Sequence, residues 1–288
     1  MNPLVIGSIV LSSLSWSLFD SSRKKLAANV PPAPAVAWLM ILQAPVFLAF
    51  GFLESWVIPA NGYWLPAVAS IVVNGLATLW FIEAVALIPF SLAIPILSLT
   101  PVFTTTGAFF ALDERIDLKQ IAGIAIIVAG TFILSRVESA KQTTTDAKSI
   151  RKGLVLMALV ALMWALTPVF DKLCLRVVPS SEHGFLQCLG IAVMFAAYLL
   201  LKRIPAPTRL VKANLKWFAI AVFFASLALF TQLWTIQWVP VGIFEALKRS
   251  IGLIAALIIG HFLFGERISR MKVGLVGLIG IGIFVLLI

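Results

Sequence analysis

Apolar residues run through this chain in long unbroken stretches, with no strict alternation and no narrow helical stripe. A helix needs about 20 mainly apolar residues, at ~1.5 Å each, to cross a bilayer's hydrocarbon core. Ten stretches reach that scale: residues 3–20, 33–53, 64–87, 90–112, 118–136, 153–173, 184–201, 215–238, 241–264 and 271–288. Membrane β-strands would instead show short segments of alternating polarity. Helices also satisfy their own backbone N–H and C=O groups where water is absent. The pattern therefore predicts an all-α membrane protein with ten transmembrane helices.

The breaks between stretches carry helix-stopping chemistry. Pro31, Pro32 and Pro34 open the second span, and Asn61-Gly62 opens the third. Ile88-Pro89 and Val239-Pro240 predict very short turns before spans four and nine. Such turns join antiparallel neighbours. The longest polar stretch, "RVESAKQTTTDAKSIRK", runs from Arg136 to Lys152 at mid-chain. It divides the chain into residues 1–136, a polar linker 137–152, and residues 153–288, with five spans on each side.

Composition sharpens this picture. Of 288 residues, 61% are apolar and 12% charged, against about 25% charged in soluble domains. Mean hydropathy is +1.06. A water-facing surface cannot be built from so few charges, and disorder requires the opposite composition. The net charge of +10 follows the spans. Sixteen Lys and Arg fall in four loops on one side: Arg23, Lys24 and Lys25; Arg136, Lys141, Lys148, Arg151 and Lys152; Lys202, Arg203, Arg209, Lys212 and Lys216; and Arg267, Arg270 and Lys272. Only Arg115, Lys119, Lys172 and Arg176 lie on the other. Basic loops stay in the cytoplasm, so both termini are expected outside, in a bacterial-type inner membrane. Nucleic acid is not an expected partner, because no soluble basic stretch interleaves with aromatics. The first apolar run has no basic leader segment and reads as a retained span. Cys174 and Cys188 read as small apolar fillers.

The halves resemble each other. Glu114-Arg115-Ile116 follows span four, and Glu266-Arg267-Ile268 follows span nine. Gly130 corresponds to Gly282. Trp16 and Lys24 are eight apart, as are Trp164 and Lys172. With five spans per half, the second half enters the membrane in the opposite direction. Inverted-topology repeats around a central cavity are a common construction of secondary transporters.

"WSLFDSSRK" from Trp16 and "WALTPVFDK" from Trp164, with the short turns and the repeated Glu-Arg-Ile, resemble the drug/metabolite transporter superfamily, EamA type, across the whole chain. The resemblance implies a secondary transporter working by alternating access. Its nearest look is that of bacterial exporters of amino acids, including aromatic ones. It also implies that spans one to four and six to nine surround the cavity, with five and ten outside. The alternative cargo is a drug or an anionic metabolite such as a nucleotide sugar.

Glu245, Lys248 and Arg249 in span nine share one helix face. A charge near the bilayer middle costs about 2.5–3.5 kcal/mol on insertion scales, so these three should line a cavity or pair. They can act as a zwitterion clamp, with a cation on a carboxylate and Glu245 on an ammonium, or as a self-satisfied Glu245–Arg249 pair. Trp16, Trp164, Trp80 and Trp234 lie deep enough to stack on an apolar or aromatic cargo. Gln43 and Gln187 are further candidate cavity polar groups, and Glu83 is a candidate proton carrier. The superfamily's small four-span relatives use a first-span carboxylate for proton coupling, whereas the first span here holds no Glu and its only acid is Asp20 at its end. Pro95, Pro101 and Pro168 are hinge candidates. His183 and His261 are expected near membrane edges. The glycines of spans five and ten permit close packing within the chain or in a homodimer. An intramembrane Mg²⁺-dependent transferase would rest on Asp113 and Asp117 alone, which read better as a solvated turn. No phosphate loop or zinc motif occurs, so neither a cofactor nor a metal is expected.

Overall fold

The computed structural model describes residues 2–88, 96–139, 147–205, 208–264 and 270–287. These form α1 (Pro3–Ala27), α2 (Pro32–Phe50), α3 (Asn61–Leu87), α4 (Thr100–Leu112), α5 (Leu118–Ser139), α6 (Ala147–Cys174), α7 (Ser180–Leu201), α8 (Leu215–Thr235), α9 (Val241–Phe264) and α10 (Arg270–Leu287). A short helix, Thr208–Ala213, precedes α8. No strand occurs among the described residues. Among the described residues, six helices are long and apolar enough to cross a membrane: α1, α2, α3, α6 from Lys148, α7 and α8. Leu118–Ile133 and Val273–Leu286 are shorter apolar segments. Large side chains such as Leu65, Phe110 and Leu201 stay about four-fifths exposed. A water-soluble surface avoids contiguous apolar area of this kind, whereas hydrocarbon accepts it.

Local chemistry sets the helix ends. Asn2 accepts the Leu4 N–H at 3.0 Å and starts α1. Nothing stops α1 until Pro31 and Pro32, so it runs seven residues past the span expected to end at 20. Arg23, expected in a loop, is therefore a helix residue and only 2% exposed. Asp113 ends α4 at φ 54°, a left-handed position that Asp tolerates. Asp117 then starts α5 with a reciprocal cap. Its Oδ1 accepts the Gln120 N–H at 2.7 Å, and Gln120 Oε1 accepts the Asp117 N–H at 3.1 Å. The two carboxylates considered for Mg²⁺ thus serve separate turn and cap roles.

Other bounds move too. The described part of span four is a helical turn near 96–99 followed by α4 from Thr100. Pro101 occupies the first turn of α4, where its missing N–H is not required, so it begins a helix and does not interrupt one. Pro168 lies inside α6 without ending it. Helices α5 and α6 extend into the polar linker from both sides, to Ser139 and from Ala147. Pro89, Pro95 and Glu266-Arg267-Ile268 lie outside the described residues, as does the side chain of His261.

The packing has an exchange pattern. Count each half from its own first helix, α1 and α6. The leading contacts are α1 with α8 and α3 with α6, first helix against third in both directions. Next, α2 packs on α7, α4 on α9 and α5 on α10, each helix on its counterpart. Contacts α1–α9 and α4–α6 exchange likewise. The α5–α10 pair depends on glycine. A Cβ on Gly123 would stand 3.2 Å from the Gly282 carbonyl oxygen, and one on Gly282 would stand 3.1 Å from that of Gly123. By contrast, a Cβ on Gly274, Gly277 or Gly280 would meet nothing within 4 Å.

Replacing Gly282 with Leu should overpack this contact at a cost of about 1–3 kcal/mol, seen as a lower unfolding midpoint in detergent. Gly280→Leu should leave the midpoint in place.

Candidate functional site

Buried charges gather around α9, at Glu245, Lys248 and Arg249. All three follow Val241 closely enough to lie within three turns of the helix start. Glu245 is fully buried. Lys248 donates to Glu245 Oε1 and, at 3.1 Å, to Gln232 Oε1 on α8. The Trp16 indole N–H on α1 donates to the same Gln232 oxygen at 3.0 Å. The ammonium also lies 5.6 Å from the Trp16 ring centre and 5.3 Å from that of Phe244, inside cation–π range. One glutamine oxygen thereby joins α1, α8 and α9.

Arg249 takes a different course. Its guanidinium carbon is 5.7 Å from the Trp164 ring centre on α6. Its Nε is 3.9 Å from Glu245 Oε2, too far for a hydrogen bond. Both atoms are buried without a hydrogen-bond partner. Glu245 therefore bonds to Lys248 through Oε1, and faces Arg249 through Oε2 as a long ion pair without a hydrogen bond.

Arg23 extends the cluster. It pairs with Asp20 and lies over three rings: Phe19 at 4.4 Å, Phe81 at 4.2 Å and Trp164 at 5.1 Å. Trp164 is thus flanked by two arginines, and Trp16 by a lysine. Trp16 and Trp164 lie beside one buried assembly, each against its own cation. Arg23, Lys248 and Arg249 against Asp20 and Glu245 leave one positive charge in excess. Arg23, Asp20 and Gln232 were missed as site residues in the sequence. The signal for Arg23 was the lack of any stop before Pro31, which keeps it on the helix seven residues after Trp16.

The remaining candidates scatter. Trp234 lines a cavity of about 330 Å³ with Glu54, Phe230 and Thr231. Trp80 packs against the apolar core, half-buried. Gln43 is buried in α2, and Glu83 is half-buried near the end of α3. Gln187 belongs to a second polar cluster around Asp171, which is fully buried on α6. Asp171 Oδ1 accepts from the Ser70 hydroxyl and from Gln187 Nε2 at 2.8 Å, and faces His183 Nε2 at 3.1 Å. His183 Nδ1 is 3.1 Å from the Tyr63 hydroxyl. His183, expected near a membrane edge, is only 1% exposed. It lies in the first turn of α7, where Asp171 and Tyr63 cover it. Nothing in one sequence joins residues 63, 70, 171, 183 and 187.

Carboxylates also cap helices across the halves. Glu54, which follows α2, accepts from the Ser181 N–H at 2.8 Å and from its hydroxyl, at the start of α7. Glu114, which follows α4, accepts the Val241 N–H at 2.8 Å, at the start of α9. Each carboxylate stands 127 residues before the N–H it caps. An acid suits the positive end of a helix. Glu114 also pairs with Lys172 on α6 at 2.6 Å, and Lys172 donates to the Val239 carbonyl at 2.9 Å. Among the described residues, no group of three or more His, Cys, Asp or Glu side chains is placed to hold a metal ion.

A family model described as the EamA-like transporter family matches residues 4–136 and 151–288, nearly the whole chain in two segments. No curated protein matches. A crystal structure of another protein, 20% identical, shares the fold with a TM-score of 0.74, covering 98% of this chain and 94% of that one.

Glu114→Ala should cost about 0.5–2 kcal/mol for the lost cap, with a further loss from the stranded Lys172. The unfolding midpoint in detergent should fall by clearly more than for Asp113→Asn, which removes only an exposed pair with Arg115.

Proposed function

The chain belongs to the EamA-like transporter family, and we propose that this membrane transporter of small molecules moves amino acids, aromatic or large apolar ones, by alternating access. The observation that carries this reading is the pair of unspent atoms on α9. Arg249 Nε and Glu245 Oε2 are buried and face each other as a long ion pair at 3.9 Å, and neither has a hydrogen-bond partner. A buried polar group left unmade costs about 1–3 kcal/mol, more when charged. A zwitterion answers both: its carboxylate meets the arginine and its ammonium meets the glutamate. Trp16 and Trp164 stand beside the same charges and offer flat apolar faces to a large side chain. The cavity at Trp234 supplies apolar lining nearby in sequence on α8.

Alternating access is supported by the exchange pattern of helix contacts. We read residues 1–136 and 153–288 as inverted repeats joined by the linker 137–152. The distribution of Lys and Arg supports both termini outside, and the resemblance favours a bacterial-type inner membrane. Export is favoured by resemblance. A second reading has one specific support. The excess positive charge of the cluster also suits an anionic metabolite, such as a nucleotide sugar, or an anionic drug.

The test is uptake of labelled phenylalanine, tryptophan and leucine into proteoliposomes, against a nucleotide sugar as competitor. Saturable uptake of the aromatic amino acids is expected. Arg249→Leu and Lys248→Leu should each lose about 2–5 kcal/mol of binding, roughly 30-fold or more in efficiency, while still inserting as folded protein. Normal transport by both variants would defeat the clamp, and competition by the nucleotide sugar alone would favour the second reading.

A further inference from the structure

The cavity at the ends of α2 and α8 is walled by rings and by an acid, with no basic side chain in its lining among the described residues. Glu54 follows α2, and Phe230, Thr231 and Trp234 fall in the last two turns of α8. The volume of about 330 Å³ lies at the lower end of small-molecule sites, roughly 300–1,000 Å³. All four lining residues are half-buried, so a ligand can reach them.

Glu54 and Thr231 bring acceptors to this cavity. Glu54 Oε2 takes the Ser181 N–H at 2.8 Å and the Ser181 hydroxyl. Those two bonds fix the carboxylate and leave Oε1 for a ligand. Thr231 spends its hydroxyl hydrogen on the Leu227 carbonyl at 2.6 Å, so its oxygen retains only lone pairs. The rings are braced from behind. Phe230 meets Phe50 on α2 with ring centres 4.8 Å apart, and Trp234 meets Trp238 at 6.1 Å. Aromatic faces are negative. A carboxylate oxygen, a hydroxyl lone pair and two ring faces together attract a cation that carries N–H donors. Nearby basic side chains are committed elsewhere, Lys172 to Glu114 and the Val239 carbonyl, and Arg176 to the Leu112 carbonyl. Beside Ser181, Glu182 adds a second acid, whose Oε2 accepts the Val57 N–H at 2.9 Å.

We propose that this cavity is a second binding site, for a small aromatic monoamine held as its ammonium ion. The ammonium donates to Glu54 Oε1 and Thr231 Oγ1, and the ligand ring lies against Trp234 and Phe230. A monoamine suits the site better than an amino acid does. On α9 a cation, Arg249, stands 3.9 Å from Glu245 and can receive a carboxylate, whereas the lining at Glu54 offers no cation for one. The amine site does not rest on the transport reading above, because it is defined by binding alone and uses none of the α9 charges.

Calorimetric titration of the purified full-length chain in detergent, with phenethylamine at neutral pH, tests this. Saturable binding is expected in wild type. Glu54→Gln keeps an acceptor for Ser181 and loses the charge, so it should weaken binding by about tenfold or more. Trp234→Leu should weaken it as well. Phenylpropionate, with the same ring and the opposite charge, should not displace the amine. Phenylalanine should displace it only at about tenfold higher concentration or more. No saturable binding by wild type would overturn the proposal, as would full affinity in Glu54→Gln or displacement by phenylpropionate. Should Glu54→Gln fail to fold, full affinity in Trp234→Leu would overturn it equally. A loss confined to Glu245→Gln would place the amine on α9 and overturn the cavity assignment. Absence of phenylalanine uptake into proteoliposomes would defeat the α9 reading alone, with the titration still deciding this site.

Discussion

Hydrocarbon offers neither hydrogen-bond partners nor solvation for charge, and three cations and two carboxylates are nevertheless gathered inside this bundle. Gln232 Oε1 is central to how they are held. It accepts from Trp16 on α1 and from Lys248 on α9 while itself belonging to α8. Lys248 in turn holds Glu245. The helices that meet here are also among the most extensively packed, α1 with α8 and α1 with α9. Polar satisfaction and helix packing are therefore one requirement: the charges are tolerable only where neighbouring helices supply rings and amide oxygen.

The same requirement explains why the halves interlock. The first N–H groups of a helix have no partner within it. At α7 and α9 the partner comes from a carboxylate following α2 and α4, the counterpart helices of the other half. Each half thus completes helix ends of the other. A motion that separates the halves at this face must release Glu54 from Ser181, and Glu114 from Val241 and Lys172, together.

Positions at matching offsets in the two halves carry opposite chemistry. The register that aligns Trp16 with Trp164 and Lys24 with Lys172 also aligns Arg23 with Asp171. One position is a buried cation stacked on three rings and paired with Asp20. The other is a buried acid held by Ser70, His183 and Gln187. The interior is therefore asymmetric, with cations gathered against α9 and a carboxylate held between α3, α6 and α7.

The sequence by itself determined the membrane environment, the helical class and the charged face of α9. Each follows from apolar run length, stop residues or i, i+3 and i, i+4 spacing, which are local quantities. It also pointed to Trp16 and Trp164 through their matched offsets. Only the tertiary structure decided which partner each charge takes. Whether Glu245 is satisfied by Lys248 or Arg249, and whether Arg23 faces water or aromatic rings, depends on how far α1 continues and what packs on it. The Asp171 cluster was beyond sequence reasoning, because it joins α3, α6 and α7 across more than a hundred residues. Run length and spacing describe one helix at a time, whereas a buried polar group is satisfied by whichever helices the packing brings beside it.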